Sequence, residues 1–149
     1  MSEVAERKPP RARGGCLCGA VRYEVHGPLR QAVVCHCEEC RRWHGHACAY
    51  TAADRDALAL SGAETLRWIE SPRSDARARR GFCTHCGSSL FWDAPGEATI
   101  AIAAGTLDRP TSLRTVAHVY VDGAGDYYEL PEDGLPRYER SSGSAWPTG

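Results

Sequence analysis

Seven of the eight cysteines fall in three tight groups, and their spacing constrains the fold more than any other feature. The groups are Cys16-Leu17-Cys18, Cys35-His36-Cys37-Glu38-Glu39-Cys40 and Cys83-Thr84-His85-Cys86, with Cys48 standing alone. Three thiols within six residues are too many and too close for packing to explain. A thiolate is a soft ligand suited to Zn²⁺, and short cysteine spacings bring several of them to one ion. The first and third groups together supply four ligands, the number of a closed structural zinc site. Their distance in sequence means that such a site joins two halves of one domain and closes a long loop. The middle group supplies three ligands and leaves one position open, the pattern of a catalytic zinc.

Eight cysteines could instead form four disulfides. The segment before residue 14 is polar, with Lys8, Pro9, Pro10, Arg11 and Arg13, and has no apolar signal segment. No stretch approaches 18 apolar residues, so no membrane span is expected. The expected compartment is the cytoplasm, where thiols stay reduced and metal binding accounts better for the cysteines. A formal net charge of −1 gives no overall field for nucleic acid or membranes. At 149 residues and 42% hydrophobic composition, one domain with a real core is expected. Its boundaries read as 14–138, with flexible tails at 1–13 and 139–149.

The pattern between the cysteines is that of a mostly β domain. Residues 20–25 alternate apolar and polar, as a half-buried strand does. Strands are also expected at Val33 and Val34 leading into Cys35, and at 47–50, 64–70, 90–92, 98–103, 115–121 and 127–130. Residues 38–44 read as one helical turn carrying Cys40. Residues 71–80 read as a polar, arginine-rich loop broken by Pro72. Frequent Gly and Pro between short strands support the β reading.

Gly15-Cys16-Leu17-Cys18-Gly19, then Cys35-His36-Cys37-Glu38-Glu39-Cys40-Arg41-Arg42 with Gly45, and Phe82-Cys83-Thr84-His85-Cys86-Gly87-Ser88-Ser89-Leu90 resemble the glutathione-dependent formaldehyde-activating enzyme family. Centromere protein V belongs to the same family. Gly105-Thr106-Leu107-Asp108, His118-Val119-Tyr120-Val121 and Asp133-Gly134-Leu135-Pro136 extend the resemblance over roughly residues 14–138. It implies a β-tent, Mss4-like fold of two small packed antiparallel sheets. It also implies a structural zinc on Cys16, Cys18, Cys83 and Cys86, and a second zinc on Cys35, Cys37 and Cys40. The implied activity is a carbon–sulfur lyase reaction that joins formaldehyde to glutathione as S-hydroxymethylglutathione. The chain departs from the family at Ala124, Asp126 and Tyr127, where Lys, Pro and Trp are common, and at Cys48, where an apolar or aromatic residue is common.

The chemistry of the middle group points the same way. Three thiolates on Zn²⁺ leave a net charge of −1, which weakens the metal as a Lewis acid for water. A thiol needs less help, because metal binding can deprotonate it outright. The expected function is therefore a zinc-dependent enzyme, with two zinc ions per chain, acting on glutathione or a related small-thiol adduct of an aldehyde. Cys35, Cys37 and Cys40 are the expected catalytic centre. Arg41 and Arg42 are candidates to pair with the carboxylates of glutathione. Glu38 and Glu39 are candidates for proton transfer. His36, His44, His46 and Cys48 are the candidates for a fourth protein ligand. The alternative function is a non-catalytic zinc-stabilised binding module, as the centromere branch suggests. Near-neutral charge and the lack of a long basic run argue against nucleic acid as the partner.

Overall fold

A computed structural model describes residues 8–72 and 77–141. The expectations for residues 1–7, 73–76 and 142–149, the outermost parts of both tails among them, lie outside the described residues. Among the described residues ten strands run in order: β1 (Ala12–Gly15), β2 (Arg22–Val25), β3 (Ala32–Cys35), β4 (Cys48–Asp54), β5 (Leu58–Ser61), β6 (Leu66–Glu70), β7 (Arg79–Cys83), β8 (Ser89–Asp93), β9 (Thr99–Ala103) and β10 (Thr115–Val119). One seven-residue helix, α1 (Glu38–His44), interrupts them. Among the described residues no helix is long and apolar enough to cross a membrane.

The strands form two sheets, ordered β1-β2-β5 and β10-β3-β4-β9-β8-β7-β6. The expectation of two small antiparallel sheets therefore needs correction. The second sheet has seven strands and is mixed, because β10 pairs with β3 in parallel. Parallel pairing requires a long crossover. Here the chain reaches β10 from β9, at the other side of β4, and local strand signals carry no trace of that route. Strands β1 and β5 were not expected, because each is only four residues long and flanks a longer pattern. β1 begins at Ala12, so the ordered fold starts before residue 14. Residues 127–130 form no strand. Tyr127 and Tyr128 instead reach His46 and His36 through their hydroxyls. The expected loop at 71–80 ends early, since Arg79 and Arg80 already belong to β7.

Alternation places the core. In β2, Tyr23 and Val25 are buried while Arg22 and Glu24 are half-exposed. Their apolar face meets Leu90, Phe91, Ile100 and Ile102 of the second sheet, with Val21, Leu29 and Leu107 filling the gap. Tyr23 and Phe91 meet edge to face at 5.5 Å between centroids. The Tyr23 hydroxyl reaches Thr106 Oγ1 at 2.7 Å, so the one polar atom of that ring is satisfied. Val21, Val25, Leu29, Leu90, Phe91 and Ile102 are completely inaccessible. Complete burial of such a side chain contributes about 1.5–3 kcal/mol.

Candidate metal centres

The first cysteine pair lies just after β1 and the third group sits in the turn between β7 and β8. Both are turned inward by glycines with positive φ. Gly19, at φ 83°, donates its amide to the Cys16 carbonyl at 3.2 Å, and Gly87, at φ 81°, donates to the Cys83 carbonyl at 2.8 Å. That conformation carries no Cβ penalty for glycine. The two knuckles face each other across the sheets. The sulfurs of Cys16, Cys18, Cys83 and Cys86 all lie within 4.8 Å of one another. Cys16 and Cys18 are 3.7 Å apart and Cys18 and Cys83 3.8 Å apart. Four sulfurs around a tetrahedral zinc at about 2.3 Å are about 3.8 Å from each other, so the cage fits that ion. These separations are far from the ~2.05 Å of a disulfide. Ser88 ties the knuckles together. Its hydroxyl accepts from the Leu17 amide at 2.9 Å and contacts Cys86 Sγ at 3.2 Å. Hydrogen bonding from Ser88 lowers the Cys86 thiol to about 5, so it is ready to serve as a thiolate.

The middle group forms where β3 ends and α1 begins. Cys37 is the N-cap of α1, and its sulfur accepts from the Cys40 amide at 3.3 Å. The spacing thus brings Cys37 and Cys40 together on the first turn, and Cys35 at the strand end completes the set. All three sulfurs lie within 4.8 Å of one another. Glu38 and Glu39 in the first turn and Arg41, Arg42 and His44 in the last complement the helix dipole. Gly45, at φ 85°, closes the helix by donating to the Arg41 carbonyl. Crowding separates the thiols. Hydrogen bonding from Cys35 and then Cys40 holds Cys37 far below the usual thiol range, at about 2, while the same contact with Cys37 pushes Cys35 up. Cys37 is thus the thiol of the group that ionises first, while Cys35 and Cys40 are held above the usual range.

Beneath the group lies Arg80, a charge that sequence reasoning missed. It is 4% exposed, and its Nη2 donates to Cys40 Sγ at 3.8 Å. Its other nitrogens reach Ser71 Oγ at 3.2 Å and the Tyr50 hydroxyl at 3.4 Å. A buried guanidinium offsets the negative charge that three thiolates would gather.

Among the described residues no fourth Cys, His, Asp or Glu joins the three sulfurs. The candidates for that place are engaged elsewhere. His44 Nε2 meets the Tyr50 hydroxyl at 2.5 Å, and His46 Nδ1 meets the Tyr127 hydroxyl at 2.6 Å. His36 Nδ1 meets the Tyr128 hydroxyl at 2.6 Å, and its Nε2 meets His118 Nδ1 at 2.9 Å. Cys48, opposite Cys35 in the sheet, donates to the Ala49 carbonyl at 3.5 Å, and burial raises its thiol to about 12.

The arginines diverge. Arg42 pairs with Glu38 at 3.1 Å and is mostly exposed. It lines a cavity of about 320 Å³ with Glu39, Trp43, Ile69, Ser71 and Arg80. Arg41 lies under the loop 121–128, and a Cβ on Gly125 would come within 3.0 Å of its Cδ. Its Nε is buried with no hydrogen-bond partner. The same loop packs on the cysteine group, since a Cβ on Gly123 would meet Cys37 Cα at 3.1 Å. Glu39 is occupied by Ser71, whose hydroxyl donates to it at 2.7 Å.

Two packed sheets tied by a four-cysteine cage, with a three-cysteine group at the start of a short helix, define a small β protein with two candidate metal centres. Residues 11–123 match the family model of the glutathione-dependent formaldehyde-activating enzyme, and the chain belongs to that family. The resemblance carried by the cysteine motifs is thereby confirmed. A curated Halomonas elongata protein, provisionally named a glutathione-dependent formaldehyde-activating enzyme, is 32% identical over 83 residues, 52% of this chain and 53% of that protein. The match thus spans about half the length of this relative. The crystal structure of a Rhodobacter sphaeroides protein superposes with a TM-score of 0.55 at 23% identity, covering 84% of this chain and 98% of that one. That likeness concerns the fold.

Proposed function

We propose that this protein is a zinc-dependent, carbon–sulfur lyase-type enzyme that joins a small aldehyde to a glutathione-type thiol, as in the formation of S-hydroxymethylglutathione from formaldehyde. The observation that carries this reading is the three-sulfur group with no fourth protein ligand among the described residues. Family membership and the name of the Halomonas elongata relative support the choice of thiol and aldehyde. On this reading each chain holds two zinc ions. The four-cysteine ion pins a β-tent, Mss4-like fold. The three-cysteine ion, when bound, supplies the positive charge that lowers the pKa of an incoming thiol.

The remaining work falls to the chain. Cys35, Cys37 and Cys40 hold the site and leave one direction open. Arg41, with an unpartnered Nε beside the group, is the residue that pairs with a carboxylate of the thiol substrate. Arg42, already paired with Glu38, is a weaker second candidate on the outer face. The loop 121–128 covers the site and limits water. In the reaction the thiol sulfur bonds to the carbonyl carbon, and the carbonyl oxygen ends with the proton the thiol gave up. A reducing compartment, the cytoplasm, keeps the seven cysteines available for metal.

Cobalt substitution tests this reading, because cobalt–thiolate absorption reports the number of sulfur ligands. Adding glutathione is expected to shift the spectrum of the three-cysteine site towards four sulfurs. Arg41→Ala is expected to weaken glutathione about tenfold or more while leaving mercaptoethanol unchanged, since only glutathione offers a carboxylate. A spectrum indifferent to every thiol would refute the open position and favour a zinc-stabilised binding module.

A further inference from the structure

Behind the three-cysteine group runs a chain of four side chains from the cysteine loop, β10 and the irregular stretch that follows it. Tyr128, His36, His118 and Asp133 are linked by contacts of 2.6, 2.9 and 2.8 Å. His36 and His118 are 2% and 3% exposed, so water cannot substitute for these partners. With both rings uncharged, the chain has one consistent direction. A carboxylate only accepts, so His118 Nε2 carries the proton given to Asp133. Neutral His118 then has a bare Nδ1, which can only accept, and His36 Nε2 must donate to it. Neutral His36 has a bare Nδ1 in turn, and the Tyr128 hydroxyl must donate to that.

His36 is the residue between Cys35 and Cys37. We propose that Tyr128, His118 and Asp133 are positioning residues of the three-cysteine centre, which clamp both nitrogens of His36 and so fix Cys35 and Cys37 before metal or thiol arrives. The proposal rests on the reading of this group as a metal centre. His36 touches no metal on this account. Its ring is the handle by which β10 and the stretch that follows it hold the ligand loop, as partners beyond the ligands do at other metal sites. Asp133 lies 15 residues beyond His118 and on no regular element, so its carboxylate serves as the fixed end of the chain. At the other end Tyr128 secures the loop 121–128, whose Gly123 packs on Cys37.

Two measurements on the zinc- or cobalt-loaded protein test this. Nitrogen-15 NMR of the histidine rings is expected to show His36 and His118 both neutral and both protonated at Nε2. A charged His118, or a proton on His36 Nδ1, would reverse the chain and overturn its direction. Asp133→Ala is expected to weaken metal at the three-cysteine site about tenfold to a hundredfold, with the four-cysteine metal retained as internal control. Asp133→Asn is expected to restore affinity, because its amide oxygen accepts the same bond. A three-cysteine-site affinity in Asp133→Ala equal to that of the wild type, or no rescue by Asp133→Asn, would overturn the positioning role. A wild-type protein that binds one metal only would refute the metal reading itself, and the ring tautomers would still judge the direction of the chain.

Discussion

At the scale of single residues, the buried charges are the side chains that act against the hydrophobic rule. Asp93 is 1% exposed at the end of β8. Arg55 reaches it at 2.7 Å and Arg79 at 3.0 Å. Burial pushes its carboxyl pKa up, but the two guanidiniums outweigh that and leave it below the ordinary value. The sign of the pH effect follows. A carboxyl whose folded pKa is depressed contributes its full stability above the unfolded value, about 3.9, and loses it as pH falls through the lower folded value. Asp93→Asn is therefore expected to be less stable than the wild type by about 2–3 kcal/mol at pH 6, and the gap is expected to narrow as pH falls below the ordinary carboxyl range. Urea unfolding of both proteins at each pH measures the difference, in which acid loss of metal, common to both, cancels. A gap that stayed constant with pH would show that Asp93 contributes by shape and not by charge. Neither partner of Asp93 stood out in the sequence, because Arg55 and Arg79 are two among many arginines and their convergence is a tertiary event.

At the scale of elements, short strands need their turns fixed. β5 and β6 belong to different sheets, and the chain changes sheet between them at Gly62. Gly62 has φ 75°, and a Cβ there would come within 1.8 Å of the Ala20 carbonyl oxygen. A left-handed conformation and a close backbone approach both demand glycine. Gly62→Ala is expected to cost about 3 kcal/mol or more, because strain and overlap add. A thermal midpoint within a degree or two of wild type would contradict the turn geometry. The helix has the bounds expected for the single turn at residues 38–44. Acidic residues at 38 and 39, basic ones at 41 and 42, and Gly45 after the last turn mark the bounds of α1. What they did not show is that Cys37 caps it, which makes a candidate ligand part of the helix start.

At the scale of the whole molecule, the two cysteine groups differ in what they hold. The four-cysteine cage spans the chain from Cys16 to Cys86 and joins both sheets, so a metal bound there would contribute directly to folding. The three-cysteine group spans six residues of one segment. Cys83→Ser is therefore expected to unfold or badly destabilise the protein, and Cys37→Ser to lose about one equivalent of metal with the fold intact. Metal analysis beside circular dichroism checks both, and an unfolded Cys37→Ser would mean that the roles are reversed. The sequence by itself determined the β class, the grouping of Cys16, Cys18, Cys83 and Cys86 as one ligand set, the separate three-cysteine group, and the family. These are legible because ligand spacing and strand alternation are local, and because a knuckle and its glycine are read within a few residues. Only the tertiary structure decided the seven-stranded mixed sheet, the parallel pairing of β10 with β3, and the burial of Arg80 under Cys40. It alone brought Tyr128, His36, His118 and Asp133 into one chain. Those features depend on which distant segments become neighbours, and pairing across a sheet leaves no periodic mark on either strand that enters it.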